Sequence, residues 1–346
     1  MKILIVKASA LGDVVHALPV LPYLKSASAN LEIDWVVEEP FASLLSANPM
    51  VHHLHILRTK AWRKARFSAR ARREFFELLG SLRRERYDVV LDLQGNMKSG
   101  MLTLAAHAPL RYGFDRSGAR EWPNLLATNR KVALSEADYH IMDRTMLAPM
   151  AAFPGGKRSD APGPLFVAPK IREEMTRDLE ERGLSGKKTT VFHCGASWKT
   201  KQWENALWAE LARKTEERFG LRIILTWGGE AEHADCRIIW ETSGKTATIW
   251  PRVGIPQMAA LLESASVVVG GDTGLIHMAA ALGTPTVSFY TATHSLRNGP
   301  RGEKHRLVQS NLPCAPCLRR DCRRLPECRA SIRVGDMLEA IAAAIA

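Results

Sequence analysis

The stretch SVVVGGDTGLIHMAAALGTPTVSFY, residues Ser266 to Tyr290, holds a strand, a turn, a helix start and a second strand. Val267, Val268 and Val269 are apolar and β-branched, as a strand buried on both faces of a parallel sheet requires, and Gly270-Gly271 ends the run. Asp272 and Thr273 are N-cap residue types. Leu275, Met278, Ala279 and Leu282 then recur at helical spacing until Gly283 and Pro285 stop the helix. A helix whose amino end meets the carboxyl edge of a parallel strand offers free backbone N–H groups and a positive dipole end, which suits a diphosphate. The same spacing also describes an ordinary strand-to-helix turn.

Outward from this stretch, the chain of 346 residues is long enough for two domains, and its 46% hydrophobic content supplies two cores. No apolar run approaches the roughly 20 residues of a membrane span. The opening MKILIVKASALGD lacks the long apolar region and cleavage site of a signal peptide, so a cytoplasmic location is expected. A net charge of +12 calls for a polyanionic partner: nucleic acid, an anionic membrane surface or a phosphorylated substrate.

Lys2 to Val6 reads as a strand, and Ala8-Ser-Ala-Leu-Gly12-Asp13 as a small-residue loop before the helical Val14 to Leu18. One glycine in place of three departs from G-x-G-x-x-G and argues against NAD. Asp13 stands where a carboxylate either caps the helix or points into a cleft as a general base. Ile33 to Glu39 and Val51 to Leu57 read as further strands, and Tyr87 to Leu93 as another that ends in Gln94-Gly95-Asn96. A helix over Lys98 to Ala106 follows, then loop material at Arg111 to Phe114 and Ser117 to Glu121. A helix spans His140 to Met150, in which His140 reads as structural.

Between Arg58 and Arg73 eight Lys or Arg occur with no acidic residue, which removes the i, i+4 pairing of a merely soluble helix and favours an anion-binding role. Trp62 and Phe67 interrupt the run, as on a nucleic-acid surface or a loop that docks on phosphorylated lipid headgroups. Pro154 to Pro164 is dense in turn formers and reads as the interdomain linker.

A second alternating series follows a helix from Pro169 to about Arg182. Thr189 to His193 is its first strand, Cys194-Gly-Ala-Ser197 a small-residue loop, and Lys199, Lys201 and Trp203 come next. This is a plausible phosphate cradle without the P-loop pattern, which argues against ATP hydrolysis. The helix Glu204 to Phe219 and strand Arg222 to Thr226 lead to Glu232, placed either to accept from ribose hydroxyls or to satisfy a helix dipole. Ile255 to Leu262 is a helix, and Gly335 to Ala346 the last one. Six cysteines include Cys314, Cys317, Cys322 and Cys328, four thiols close enough in sequence for zinc or an iron-sulfur cluster, or for reduced thiols that pin a loop.

Lys7-Ala-Ser-Ala-Leu-Gly12-Asp13, Asp34-Trp-Val-Val-Glu38-Glu39, Trp62-Arg63-Lys64, Asp92-Leu-Gln-Gly95, Lys201-Gln-Trp203 and Asp272-Thr-Gly-Leu-Ile-His277 occur in this order. Together they resemble the bacterial lipopolysaccharide heptosyltransferases over nearly the whole chain. The D-W-V-V-E-E strand and W-R-K loop are nearest to the heptosyltransferase I branch, the cysteine cluster to the heptosyltransferase II branch. The resemblance implies an α/β chain of the GT-B fold, two Rossmann-like domains facing across a cleft. It divides the chain into an acceptor domain over 1–160, an ADP-sugar domain over 165–334 and a C-terminal helix over 335–346.

It further implies an inverting transfer of L-glycero-D-manno-heptose from ADP-heptose to the Kdo of Kdo2-lipid A, at the inner face of the inner membrane. Asp13 would be the base and Lys201 would meet the donor diphosphate. Ser197, Glu232, Asp272, Thr273, Gly274, Leu275 and His277 complete the donor site. Arg63, Lys64, Arg66, Gln94, Lys98 and Arg120 would receive the acceptor's phosphates and carboxylates. A lysine and helix N–H groups can stabilise the departing ADP, so no metal is expected to be required for catalysis. Two rivals are a relative that adds a later core heptose or another sugar, and a basic nucleic-acid-binding protein with a zinc knuckle. The second leaves the paired strand-loop-helix series unexplained, and no nucleic-acid partner is expected.

Overall fold

The computed structural model describes residues 1–66 and 68–346, so the expectation placed on Phe67 lies outside the described residues. The chain forms two compact units, Met1–Phe166 and Val167–Ala346. The first holds β1 (Lys2–Val6), β2 (Glu32–Glu38), β3 (His53–Leu57), β4 (Val89–Asp92), β5 (Leu110–Phe114) and β6 (Arg130–Val132). They pair in the order β3-β2-β1-β4-β5-β6. The second holds β7 (Thr189–His193), β8 (Arg222–Thr226), β9 (Thr248–Ile249), β10 (Val267–Gly271), β11 (Thr286–Tyr290) and β12 (His305–Gln309). Their order is β12-β11-β10-β7-β8-β9.

All pairings are parallel, with Ile3 opposite Ile33 and Val89 in the first sheet and Val268 opposite Val191 and Thr286 in the second. Numbered within its own unit, each sheet has the doubly wound 3-2-1-4-5-6 order. Strand order therefore reverses between β1 and β4 in one sheet and between β7 and β10 in the other. Loops at the carboxyl ends of those four strands diverge to opposite faces and leave a crevice, where such sheets bind ligands.

Several sequence expectations change here. Arg111 to Phe114, expected as loop, lies in β5; its half-buried, mixed composition carries neither the apolar run nor the alternation of an obvious strand. The expected linker is bound to the first unit: the Tyr23 hydroxyl donates to Phe153 O at 2.6 Å, Lys157 N to Ser26 Oγ at 2.7 Å, and Asn48 Nδ2 to Pro164 O at 3.4 Å. Turn-forming composition thus marks a strap over the surface, and the boundary falls after Phe166. The terminal helix Val334–Ile345 belongs to the second unit, burying Met337, Leu338 and Ile341 in a core with Trp203, Trp208 and Phe289.

The basic run divides between the helices Thr59–Lys64 and Ala69–Arg84. Contrary to expectation, i, i+4 pairs do form, Arg70 with Glu74 at 3.0 Å and Arg73 with Glu77 at 3.6 Å, because the acids lie just past the stretch that lacks them. Trp62 is no surface aromatic. It is buried, donates Nε1–H to Glu74 Oε2 at 3.0 Å and packs edge-on against Phe75 at 5.6 Å, pinning one helix to the other. Arg63, Lys64 and Arg66 are exposed.

His55 on β3 donates Nε2–H to the Tyr87 hydroxyl oxygen at 2.7 Å, and that hydroxyl donates to the buried Asp34 Oδ2 at 2.7 Å. Burial, with His53 beside it, holds the His55 pKa down to about 4 against an ordinary 6.5. The unfolded chain therefore takes up a proton near pH 6.5 and the folded chain only near 4. The stability of the neutral imidazole is present above the first value and lost as pH falls towards the second, by up to roughly 3 kcal/mol. The urea midpoint of the parent should decline across that window and that of His55→Gln should decline less. Parallel profiles would refute the assignment.

Candidate functional site

In the first unit, β1 runs into the helix Leu11–Val15, whose N-cap is Ala10. Asp13 lies in the first turn and does not cap the helix. Its carboxylate instead receives Arg120 Nη2 at 3.2 and 3.4 Å, and stays partly exposed. Beneath it Lys7 is buried and donates Nζ–H to Leu93 O at 2.9 Å. Burial lowers the Lys7 pKa, and the charge of Asp13 is the chief opposing influence. Lys7 was legible only as the opening residue of a motif, since nothing in the sequence shows that its ammonium turns inward.

The neighbouring β4 loop explains another motif. Asp92 is fully buried and accepts from Gln94 N at 3.0 Å, Gly95 N at 2.9 Å, Ser99 Oγ at 2.9 Å and Asn124 Nδ2 at 2.6 Å. Burial pushes its pKa up against the pull of these donors. Gln94, expected to bind acceptor, turns inward: its Oε1 accepts from Ala8 N at 3.2 Å and Ser9 N at 3.5 Å, and its Nε2 donates to Ser9 O at 2.8 Å. Its amide is consumed in holding the β1 loop to the β4 loop. Gly95 has φ +73 and accepts from Arg120 N at 2.8 Å, which places the Arg120 segment over the same edge. Lys98 pairs with Glu38 at 2.6 Å. Arg63 and Lys64 end the first basic helix and Arg66 lies in the turn after it, and among the described residues the three have no acidic partner.

In the second unit the loops after β7, β10 and β11 converge on Asp272, which is buried. Its Oδ2 accepts from Lys201 Nζ at 2.7 Å, Thr293 Oγ1 at 2.7 Å and Asn298 Nδ2 at 3.1 Å, and its Oδ1 lies 3.2 Å from His277 Nε2. Burial opposes its charge, but the His277 hydrogen bond, with the charges of His277 and Lys201, holds the carboxyl well below the usual carboxylate range. Asp272, expected to bind the donor, thus holds four side chains in place, three of them on Oδ2 and His277 alone on Oδ1. Thr293 and Asn298 were not read as site residues; the polar run after β11 was their only signal.

Thr273 occupies the N-cap position of the helix Gly274–Ala281 without capping it, and its Oγ1 is buried with no hydrogen-bond partner among the described residues. An unpaired hydroxyl beside free helix N–H groups is what an anionic ligand would complete. Gly274 and Leu275 line the same partly exposed first turn. Lys201 is aimed from the far side by a wedged turn. A Cβ on Gly271 would fall 2.7 Å from Lys201 O, so β10 must be glycine there for the turn to pass over it. Trp203, expected near the phosphate cradle, is buried, donates to Ile332 O at 3.1 Å and meets Trp208 edge-on at 5.2 Å. It anchors the lysine turn.

Glu232 lies in the first turn of the helix Glu230–Thr242 and accepts from Gly228 N at 2.7 Å. A Cβ on Gly195 would come 2.3 Å from the Glu232 carboxyl, so the β7 loop needs glycine to admit that side chain. Ser197 is exposed in the same loop. The cysteine segment leans on this site: Thr200 Oγ1 donates to Arg319 O at 2.6 Å, Lys199 pairs with Asp321 at 3.2 Å, and Arg320 lies 5.4 Å from the Trp198 ring, which Lys201 Nζ also faces at 4.7 Å. Cys314 is exposed and Cys328 buried, and all four cysteines of the cluster are free thiols. Among the described residues no three His, Cys, Asp or Glu side chains group as a metal ion needs, so of the two readings of the cluster the geometry lends the metal one no support. The segment contacts the lysine turn through other atoms.

Comparison with known proteins says which enzymes place such residues at these strand edges. Residues 75–327 match the family model of glycosyltransferase family 9 (heptosyltransferase). The chain belongs to this family. It is 34% identical to lipopolysaccharide heptosyltransferase 1 of Pseudomonas aeruginosa over 93% of this chain and 87% of that one. It is 32% identical to the Escherichia coli K12 protein of the same name over 85% and 88%. The structure of E. coli heptosyltransferase WaaC with ADP-2-deoxy-2-fluoro heptose aligns with a TM-score of 0.73 at 31% identity, over 90% of this chain and 93% of that one. The chain is thus a glycosyltransferase, and its two units are the Rossmann-like domains of the GT-B fold. Read as a family 9 glycosyltransferase, it has Asp13 at one switch point and the Lys201–Asp272–His277 cluster at the other.

Proposed function

We propose that the chain transfers L-glycero-D-manno-heptose from ADP-heptose, with inversion, to the Kdo of Kdo2-lipid A in lipopolysaccharide core synthesis. The observation that carries this reading is the cation Lys201 held by Asp272 at the open amino end of the helix Gly274–Ala281, in a family 9 chain. Two structures of one relative, E. coli heptosyltransferase WaaC with ADP and with ADP-2-deoxy-2-fluoro heptose, at 30% and 31% identity, support the donor. Asp13 takes the proton of the acceptor hydroxyl as that oxygen bonds to the anomeric carbon, and the bond to the diphosphate breaks on the opposite face. ADP leaves with the electron pair, its added charge met by Lys201, the Thr273 hydroxyl and backbone N–H groups. Ser197, Glu232, Gly274, Leu275 and His277 complete the donor site, Glu232 holding the ribose.

No metal is invoked, since these groups supply the positive field. Arg63, Lys64, Arg66, Lys98 and Arg120 receive acceptor phosphates and carboxylates. Such an acceptor sits in a bilayer, which places the enzyme peripherally at the inner face of the inner membrane. Among the described residues no helix is long and apolar enough to cross a membrane. The test is release of ADP from ADP-heptose with Kdo2-lipid A and, separately, with an acceptor already carrying one heptose. Turnover is expected with the first. Turnover with the second alone would assign a later core heptose, and turnover with neither would sink the proposal.

A further inference from the structure

The first unit leaves an apolar face uncovered. On the helix Met97–Ala105, Met97, Met101 and Leu104 share one side and are 55%, 45% and 49% exposed. The short helix Trp122–Leu126 lies against it, presenting Trp122 and Leu126 at 73% exposure each. The two pieces are held together. Glu121 Oε2 accepts from Met97 N at 2.7 Å, and a Cβ on Gly100 would come 3.2 Å from Ala127 Cβ and 3.3 Å from Asn124 Nδ2. Five large exposed apolar side chains thus stand on two helices packed against each other, a concentration that soluble monomers seldom leave open.

Charge says what covers it. Residues 97–132 contain six Lys or Arg and only Asp115 and Glu121 as acids; Lys98 and Arg120 are paired with Glu38 and Asp13 outside the segment, which leaves Arg111, Arg116, Arg130 and Lys131 as the rim. Both acids are engaged by neighbours, Asp115 Oδ1 by Ser117 N at 2.8 Å and Glu121 by Met97 N. Lys131 Nζ donates to Leu125 O at 2.5 Å and Arg111 Nε to Ala127 O at 2.8 Å, which fixes cations around the short helix. An apolar centre with a tryptophan and a cationic rim matches the boundary of an anionic bilayer, where the apolar groups enter the acyl region and the rim meets phosphates. A second copy of the chain would bring the same cations face to face.

We propose that this patch is the membrane-docking surface, the apolar groups of the two helices inserting into an anionic lipid leaflet. The proposal rests on the membrane-bound acceptor of the proposed function and names the surface that reaches it. It is distinct from the basic helices Thr59–Lys64 and Ala69–Arg84. Arg120, bonded to Asp13 at 3.2 Å, belongs to the segment that runs into the short helix. Docking therefore carries the candidate base towards the headgroup plane.

The full chain is sedimented with vesicles of phosphatidylcholine alone and of phosphatidylcholine mixed with phosphatidylglycerol. Two double variants are compared with the parent, Trp122→Gln with Leu126→Gln and Met101→Gln with Leu104→Gln, each checked for a parental melting temperature. The parent is expected to bind the mixed vesicles, and each variant to bind them roughly tenfold or more weakly. Turnover of a deacylated, water-soluble acceptor should stay parental in both. Variants that bind like the parent, a parent that ignores anionic vesicles, or a parent dimer that the substitutions dissociate would each overturn the proposal. A parent that binds vesicles yet transfers no heptose to the soluble acceptor sinks the proposed function instead and leaves the docking surface standing.

Discussion

Replacing Asp13 by Asn is expected to lower kcat by roughly 10²-fold or more while ADP binding stays close to parental. The amide nearly matches the carboxylate in shape and can still accept from Arg120, which lies 3.2 Å away, so the loop should keep its place. What it cannot do is accept the proton of the acceptor hydroxyl, and no other carboxylate pairs with Arg120 among the described residues. The measurement is steady-state transfer with both substrates varied, beside calorimetric titration with ADP. Equal loss of turnover and of ADP affinity would make Asp13 structural. An unchanged kcat would move the base elsewhere.

The second large effect is expected at Asp272. Its carboxylate gathers Lys201 from the segment after β7, Thr293 and Asn298 from the segment after β11, and His277 from the helix that follows β10. Removing one partner of a buried ion pair leaves the other uncompensated, at a cost of roughly 3–5 kcal/mol. Asp272→Ala is therefore expected to lower both the melting temperature and the affinity for ADP-heptose, the latter by about 10²-fold, because Lys201 loses the anchor that aims it. Asp272→Asn keeps the shape and one acceptor oxygen but removes the same counter-charge from Lys201, so it should lose affinity almost as far while recovering only part of the stability. Calorimetric titration with ADP and ADP-heptose, alongside thermal unfolding, separates these effects. If Asp272→Ala binds both ligands and melts like the parent, the donor site is not built around this carboxylate.

The individual motifs divide according to what their side chains do once folded. The places of Asp13, Lys201 and His277 were readable because small-residue turns after apolar runs mark the carboxyl edges of parallel strands. Gln94 and Trp203 stood in equally conspicuous motifs and proved to be internal struts, one joining two loops and the other anchoring the lysine turn. A one-dimensional pattern shows that a polar or aromatic residue sits near a loop, not whether its atoms turn outward. Thr293 and Asn298 escaped notice for the complementary reason: they reach Asp272 from residues 21 and 26 positions away.

By itself the sequence determined the two alternating series, their parallel character and the four loops that matter, because burial on both faces forces long β-branched and apolar runs that end abruptly at small residues. Tertiary structure alone decided the rest. The basic run finds its ion-pair partners just beyond the stretch that lacks acids, and the supposed linker is strapped to the first unit. The apolar residues of two short helices 25 positions apart, Met97 and Trp122, become one exposed patch only when Gly100 lets the helices meet. Hydrophobic periodicity records which residues are hidden within an element. Which side chains of different elements meet is set by packing between elements, and no local pattern encodes it.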